Sequence, residues 1–247
     1  MKVIFLGTSH GYTEIGRHCS SIILEIGSYY YLIDAGAPVE YLMKQRNMPP
    51  EKLRGIFITH MHADHVNSIA AVIKAFRTFK KDDDTADLFL PEEAAVAPYT
   101  DWLCAMHMNM SDNKSPVVNV THEGIIFDKY GLKVSAIRTR HIEYSYAYML
   151  EAEGKRVLFT GDLAYGDFRD YPEITRQKDF DLIVSELTHT PHVKNVYDVL
   201  NGSRTKLMIF SHVYPDRVRE LEEENIKFHF PHIVAYDGME YDFETVK

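Results

Sequence analysis

Residues 59–65 constrain this chain more than any other stretch, and they read Thr-His-Met-His-Ala-Asp-His. The preceding residues 53–58 form a short apolar run rich in β-branched and aromatic side chains, which predicts a buried strand. After the motif, apolar residues recur at helical spacing from Val66 to Phe79 and predict a helix. The motif therefore lies at a strand-to-helix turn, where side chains at the end of a strand can converge on one point.

The motif carries the residue types of a metal site. Alternate residues of an extended segment face the same side, so His60, His62 and Asp64 align, and His65 turns towards them as the helix begins. Three imidazoles and one carboxylate suit zinc, manganese or iron better than calcium, which prefers oxygen ligands. The alternative interpretation is a polar loop that happens to be rich in histidine. A dense cluster of His and Asp at a strand end favours the metal site.

Composition limits the class of protein and its partners. The chain of 247 residues is long enough for one large core, and it contains no repeat and no Pro-rich or Gly/Ser-rich linker. We therefore predict a single domain over residues 1–247. The formal charge of -9 argues against a broad electrostatic grip on nucleic acid. A small anionic substrate remains compatible with this charge, because bound divalent cations would dominate the local field.

The ends of the chain and its cysteines predict a cytoplasmic protein. Residues 1–7 pass from one lysine straight into an apolar strand, too short for the apolar region of a signal peptide. No segment has the length and apolarity of a transmembrane helix, so we expect no membrane partner. Cys19 and Cys104 are the only two cysteines, which excludes a disulfide framework and a multi-cysteine zinc site.

Polar side chains follow strand after strand along the chain. Early predicted strands pair as hairpins, such as residues 20–26 with 29–33, and later strands alternate with helices. Two sheets with helices on their outer faces would bring these strand ends to one edge. A shared metal centre would satisfy polar groups that burial alone would leave without partners. The residues at the strand ends are Asp34, His60, His141, Asp162, Glu186 and His212.

These residues, in this order, resemble the metallo-β-lactamase superfamily. Its pattern is T-H-x-H-x-D-H followed by a His, an Asp and a His, and all seven ligand positions are filled here. The resemblance implies an α/β fold, a four-layer αββα sandwich of two mixed β-sheets, with a dinuclear metal site at the edge between them. It implies that His60, His62 and His141 hold one metal, that Asp64, His65 and His212 hold the other, and that Asp162 bridges. Asp34 is similar to an acid of the family that orients the ligands from behind.

Other segments resemble the tRNase Z and small cyclic phosphodiesterase branch. They are residues 5–9, 17–21, 144–146 and 181–188. Two features depart from tRNase Z. Ser185 stands where tRNase Z carries an accessory histidine, a role for which His189 is the nearby alternative. Only 162 − 141 = 21 positions separate His141 from Asp162, enough for a hairpin but not for the arm that grips tRNA. A long nucleic acid is therefore not the expected substrate.

The implied chemistry is hydrolysis. Two divalent ions, zinc or manganese with iron as a further choice, would generate a bridging hydroxide and clamp a phosphodiester. Asp64 would ligate a metal and steer that nucleophile, so Asp64 and His189 are the candidate catalytic residues. His192 or a metal are the alternatives to His189 for the leaving group. Arg138, Arg140 and Lys194 are candidate phosphate contacts, and His10 is a candidate for lining the pocket.

We therefore predict a dinuclear metal-dependent hydrolase, a phosphodiesterase acting on a small or nucleotide-like substrate. Two alternatives remain at this point. One is a thioester, lactone or β-lactam hydrolase of the same fold, and the other is a metal-binding module without turnover. A homodimer is compatible with the sequence. Residues 104–121, which contain three methionines and His107, form either a flap or irregular core, and the sequence favours neither.

Overall fold

Two mixed seven-stranded sheets face each other in the computed structural model, which describes residues 1–81 and 85–245. The strand order of the first sheet is β14-β1-β2-β3-β4-β5-β6. Its strands are β1 (Lys2–Gly7), β2 (Ser21–Ile26), β3 (Tyr29–Ile33), β4 (Leu53–Phe57), β5 (Asp87–Leu90), β6 (Val117–Val120) and β14 (Glu240–Asp242). The pairs from β14 to β3 are antiparallel and those from β3 to β6 are parallel.

The second sheet has the order β13-β12-β11-β10-β9-β8-β7. Its strands are β7 (Gly124–Lys129), β8 (Leu132–Thr139), β9 (Ser145–Ala152), β10 (Lys155–Phe159), β11 (Leu182–Ser185), β12 (Met208–Phe210) and β13 (His232–Val234). The pairs from β7 to β10 are antiparallel and those from β10 to β13 are parallel. Parallel strands in both sheets direct several carboxyl ends to the same edge, where the predicted ligands lie.

Three apolar layers hold these sheets and their helices together. Phe5, Phe57 and Tyr148 belong to a buried cluster that fills the space between the sheets. A second cluster joins the outer face of the first sheet to its helices, and a third does the same for the second sheet. The helices are α1 (Val39–Gln45), α2 (Ala63–Val66), α3 (Ile69–Phe79), α4 (Val96–Ala105), α5 (Ile174–Gln177), α6 (Val193–Asn201) and α7 (Pro215–Glu223). This arrangement confirms the predicted αββα sandwich.

The helix predicted after the motif is interrupted. Its apolar stripe is present, because Ile69, Val72 and Phe76 are buried on one face of α3. The chain, however, forms the short α2 first and breaks before α3. The backbone N–H of Ser68 donates to the carbonyl of Ala35 at 2.8 Å instead of continuing the helical ladder. This break lets α2 turn independently of α3 and present its polar residues to the sheet edge.

Residues 106–116 are mostly exposed but pack in part against the first sheet. Met108 and Met110 pack against the outer cluster of the first sheet, so this segment contributes to irregular core. The position of this segment is fixed from α3, because Arg77 forms a bidentate pair with Asp112 at 2.7 Å for each contact.

No helix within residues 1–81 and 85–245 combines the length and apolarity needed to span a bilayer.

Candidate metal centre

The sequence-predicted ligands converge at the carboxyl edge of the two sheets. His60 and His62 follow β4, and Asp64 and His65 lie on α2. The remaining three follow strands of the second sheet, His141 after β8, Asp162 after β10 and His212 after β12. Residues that are up to 152 positions apart in sequence, from His60 to His212, therefore meet because parallel strands end at one edge.

Two of these positions depend on unusual backbone. His212 has a φ of 56°, a left-handed conformation that is uncommon for residues other than glycine. Gly161, just before Asp162, has a φ of 58°. A Cβ atom at Gly161 would lie 2.8 Å from the carbonyl oxygen of Tyr146, so glycine is required for this close approach. Strained backbone next to the cluster is typical of a functional site.

The donor atoms form two groups. The donor atoms of His60, His62 and His141 all lie within 4.8 Å of one another, and so do those of Asp64, His65, Asp162 and His212. Asp162 stands between the groups. Its Oδ2 lies 3.7 Å from His60 Nε2, 3.4 Å from His65 Nε2 and 3.8 Å from His141 Nε2, and its Oδ1 lies 3.6 Å from His212 Nδ1. One carboxylate thus faces both sets of imidazoles.

Orphaned polar atoms show that this donor set fits metal ions. Within residues 1–81 and 85–245, His60 Nε2, His65 Nε2, Asp162 Oδ1 and His212 Nδ1 are buried and have no hydrogen-bond partner. Buried polar atoms are almost always satisfied, because burying one without a partner costs about 1–3 kcal/mol. Four such atoms in one cluster of nitrogen and carboxylate donors are accounted for by divalent cations. Nitrogen and oxygen donors together suit zinc or manganese.

The protonation states of His60, His141, Asp64 and Asp162 suit metal ligation. Burial lowers the pKa of His60 and that of His141, so both imidazoles are neutral at neutral pH, the form that binds metals. Burial favours the neutral acid of Asp64, but the hydrogen bond from His212 and the charge of His65 outweigh it and lower its pKa. Burial likewise opposes ionisation of Asp162, and the charges of His212 and His65 outweigh it and lower its pKa.

Asp34 supports the cluster from behind. Its Oδ2 lies 2.8 Å from His65 Nδ1, and its Oδ1 accepts a 2.8 Å hydrogen bond from the backbone N–H of Thr59. The hydroxyl of Thr59 lies 2.9 Å from Asp34 Oδ2 and 3.1 Å from His60 Nδ1. Burial opposes protonation of His65, but the carboxylates of Asp162 and Asp34 outweigh it and raise its pKa. This network fixes the ring orientation of two donors.

Glu186 organises the loop that carries His189. Its carboxylate accepts hydrogen bonds from the backbone N–H groups of Leu163, Thr188 and His189 at 3.0, 2.5 and 2.9 Å, and it lies 3.0 Å from His189 Nδ1. Burial lowers the pKa of His189, but Glu186 outweighs burial and raises it to about 9. The ring of His189 lies 4.5 Å from that of His141 and 5.9 Å from that of His212, measured between centroids. His189 therefore faces both groups of donors, while Ser185 is buried beneath them.

The predicted phosphate-binding cations have other partners. The guanidinium of Arg138 lies over the ring of Tyr144 at 4.7 Å. Arg140 is exposed, with Asp167 as its ion-pair partner at 3.9 Å. His192 is hydrogen-bonded to Glu220, which ties the start of α6 to α7. Lys194 lies in the first turn of α6. Of the further candidates, His10 packs against Tyr214, which follows His212 by two residues.

Sequence reasoning missed one supporting acid. Asp170 is buried and accepts hydrogen bonds from the backbone N–H of Arg140 at 2.7 Å and of Ala164 at 2.8 Å. It thereby joins the loop that carries His141 to the loop that carries Asp162. Asp170 does not follow a predicted strand and belongs to no motif, so the sequence held no signal that would single it out.

Comparison with known proteins agrees with this geometry. Residues 1–231 match the family described as Anti-Pycsar protein Apyc1. The chain belongs to this family. Among curated relatives of this Apyc1-family chain, ribonuclease BN of Enterobacter sp. (strain 638) is 27% identical over 222 residues, which cover 87% of this chain and 70% of the relative. Ribonuclease Z of Listeria welshimeri serovar 6b is 28% identical over 159 residues, 63% of this chain. The matched region spans 51% of the Listeria protein, about half its length.

Solved structures show the same fold. The metallo-β-lactamase fold protein YhfI from Bacillus subtilis superposes with a TM-score of 0.77 at 18% identity, covering 98% of this Apyc1-family chain and 99% of YhfI. Together with the ribonuclease Z and BN relatives, this likeness confirms the predicted superfamily and its tRNase Z branch.

Proposed function

We propose that this chain is a dinuclear metal-dependent phosphodiesterase that hydrolyses a small or nucleotide-like diester, such as a cyclic nucleotide. The observation that carries the proposal is the position of Asp162, whose carboxylate faces donors of both groups. A bridging carboxylate between three-residue sets suits a pair of cations better than a single one. The relatives named ribonuclease Z and BN support a phosphodiester as the bond that is cleaved.

Seven residues would hold the two divalent ions, which we propose to be zinc or manganese, with iron as a further choice. His60, His62 and His141 would form one set, Asp64, His65 and His212 would form the other, and Asp162 would be shared, which the overlapping clusters of these residues support. When bound, such a pair of cations polarises the phosphodiester and lowers the pKa of coordinated water.

The protein's own groups supply orientation and proton transfer. Asp64 Oδ2 lies 3.2 Å from His212 Nε2 and 3.2 Å from His65 Nε2, so its ionised carboxylate is fixed at the centre of one donor group. There it accepts the proton that the attacking water loses. His189, kept protonated by Glu186, donates a proton to the leaving oxygen. Glu186 holds the His189 ring through Nδ1, which leaves Nε2 to act.

A small substrate is favoured by what lies between His141 and Asp162. The hairpin of β9 and β10 fills this interval and is part of the second sheet. The formal charge of -9 provides no extended basic surface for a polynucleotide. We also propose that residues 1–247 form a single hydrolase domain and that the protein is cytoplasmic. The exposed thiol of Cys104 suits a reducing compartment. A homodimer is the assembly to be tested by light scattering.

One side-by-side assay tests the proposal. The same metal-loaded preparation is given a cyclic nucleotide, a bis-aryl phosphate diester, precursor tRNA, and a thioester, a lactone and a β-lactam at moderate salt. We expect turnover of the small diesters and little cleavage of precursor tRNA. Efficient, site-specific 3′ cleavage of precursor tRNA would overturn the small-substrate assignment. Turnover confined to the thioester, lactone or β-lactam would favour the second hydrolase class, and no turnover at all would favour a binding module.

A further inference from the structure

An aromatic pocket adjoins the metal centre on the side of Asp64 and His212. It has a volume of about 560 Å³, and its lining includes His10, Tyr12, Glu14, Thr188 and Tyr214. We call this cavity the aromatic pocket. Its walls come from the loop after β1, from the segment that follows His212, and from the loop after β11.

The ring of His10 packs edge to face with the rings of Tyr12 and Tyr214 in the aromatic pocket. The centroid of the His10 ring lies 4.8 Å from that of Tyr214, with the planes at 71°, and 6.1 Å from that of Tyr12, with the planes at 84°. His10 is buried, but 78% of Tyr12 and 41% of Tyr214 are exposed. Large aromatic side chains that are left exposed at the mouth of a cavity are typical of a ligand-binding groove.

The pocket walls are fixed by hydrogen bonds. Arg17 donates to the carbonyl of Thr8 and, at 3.2 Å, to the carbonyl of Val213, and so joins the two segments that carry the tyrosines. The hydroxyl of Ser9 donates to the carbonyl of Tyr12 at 2.6 Å. These contacts hold the backbone of the two segments together, so a ligand does not have to order the pocket loops on binding.

The aromatic pocket shares its inner wall with the metal centre. A Cβ atom at Gly11 would lie 4.0 Å from Asp64 Oδ2, so the backbone of the pocket loop runs beside that carboxylate. The backbone N–H of His212 donates to the carbonyl of Thr8 at 3.0 Å, and Thr188 donates to the carbonyl of His212 at 2.6 Å. A substrate with its phosphate at the donor cluster therefore has the pocket within reach of its next group.

We propose that the aromatic pocket binds the planar base of a nucleotide-like diester, whose phosphate lies at the donor cluster. This inference rests on the proposed function. The rings of Tyr12 and Tyr214 offer π-faces on which any nucleobase stacks. Glu14 and Asp216 line the same cavity, where Glu14 pairs with Arg17 and Asp216 with Arg219, and a carboxylate oxygen also accepts hydrogen bonds from the amino groups at a base edge. The rings and carboxylates of the pocket thus suit a base, while the donor cluster suits the phosphate.

Binding of two ligands that differ only in the base tests the inference. Calorimetry on zinc-loaded protein compares adenosine 5′-monophosphate with ribose 5-phosphate. Neither ligand contains a diester, so affinity is measured without turnover. The variants are Tyr12→Ala and Tyr214→Ala, their phenylalanine counterparts, which keep the ring, and Tyr41→Ala as the control. Tyr41 is 53% exposed and lies on α1, outside the pocket lining.

We expect the wild type to bind adenosine 5′-monophosphate about tenfold or more tightly than ribose 5-phosphate, because each base–aromatic stack contributes on the order of one decade in affinity. Each alanine variant should reduce this ratio several-fold, and the phenylalanine and Tyr41 variants should retain it. Equal affinities for the two ligands in the wild type, or equal weakening of both by the alanine variants, would overturn the inference.

A base-free cyclic ribose phosphate separates this inference from the proposed function. If the protein hydrolyses this diester but binds the two monophosphates equally, the phosphodiesterase assignment stands and the aromatic pocket is not a base site. If no diester is hydrolysed but the base-dependent affinity and its loss in the alanine variants are observed, the base site stands and the catalytic assignment fails.

Discussion

The Nδ1 atom of His65 lies 2.8 Å from the Oδ2 atom of Asp34, on the buried side of the metal centre. This contact leaves His65 Nε2 directed at Asp64 and Asp162, at 3.2 and 3.4 Å. Asp34 is 2% exposed and itself has a φ of 57°, so the protein holds a charged group in strained backbone behind the donor cluster. A carboxylate in this position fixes the tautomer of an imidazole ligand and increases its basicity.

Asp34→Asn should therefore weaken metal binding. The amide keeps the shape but removes the charge that orients His65, so we expect affinity to fall by about 10–100-fold with native circular dichroism. Competition with a chromogenic chelator measures this change. The control is Asp87→Asn, because Asp87 is buried at the start of β5 and pairs with Lys129, away from the cluster. Equal affinities of wild type and Asp34→Asn would contradict an orienting role.

Metal content gives the second prediction. Protein purified without chelator should carry close to two divalent ions per chain, because seven donors exceed the three or four that one catalytic ion requires. His60→Ala should lower this content, since His60 is fully buried in the cluster. Elemental analysis measures it, with His122→Ala as an exposed control. Unchanged content in His60→Ala would remove the ligand assignment.

Asp64→Asn gives the third prediction. The substitution keeps the shape of the side chain but removes the charge that helps hold a cation and receives a proton from the attacking water. We expect turnover of a small diester to fall by about 100-fold or more, with little change in fold. Rate measurements and circular dichroism on the same preparation give both results. Activity within about threefold of the wild type would show that Asp64 is not catalytic.

The fourth prediction separates His189 from His192 as the proton donor. An alkoxide leaves poorly without a proton, whereas a nitrophenolate leaves well, so general-acid catalysis matters only for the alkyl ester. His189→Ala should slow hydrolysis of an alkyl diester by about 10²–10⁴-fold and that of a nitrophenyl diester far less. His192→Ala should leave both rates near wild type, because His192 pairs with Glu220. The reverse pattern, or equal losses on both substrates, would assign the role elsewhere.

The sequence determined the class of fold, and it predicted the donor set. Residues 59–65 and the polar residues that follow later strands are visible because a strand end is a local feature of the sequence. The alternation of strands and helices likewise reflects local periodicity, and so predicted two sheets with outer helices. Which donors share a metal ion was implied by resemblance and stays a prediction, and the structure brings all seven residues into overlapping clusters at one edge.

The tertiary structure decided what depends on contacts between distant segments. Asp170 joins the loops of His141 and Asp162 only because the second sheet places β8 beside β9 and β10. Tyr12 and Tyr214 are 202 positions apart in sequence (214 − 12) and share a cavity because Arg17 and the backbone hydrogen bond from His212 to Thr8 join their segments. Residues 106–116 are tied to the first sheet through Met108, Met110 and the pair between Arg77 and Asp112. Local periodicity carries no information about such pairings, since they arise from which surfaces are buried together when the two sheets close.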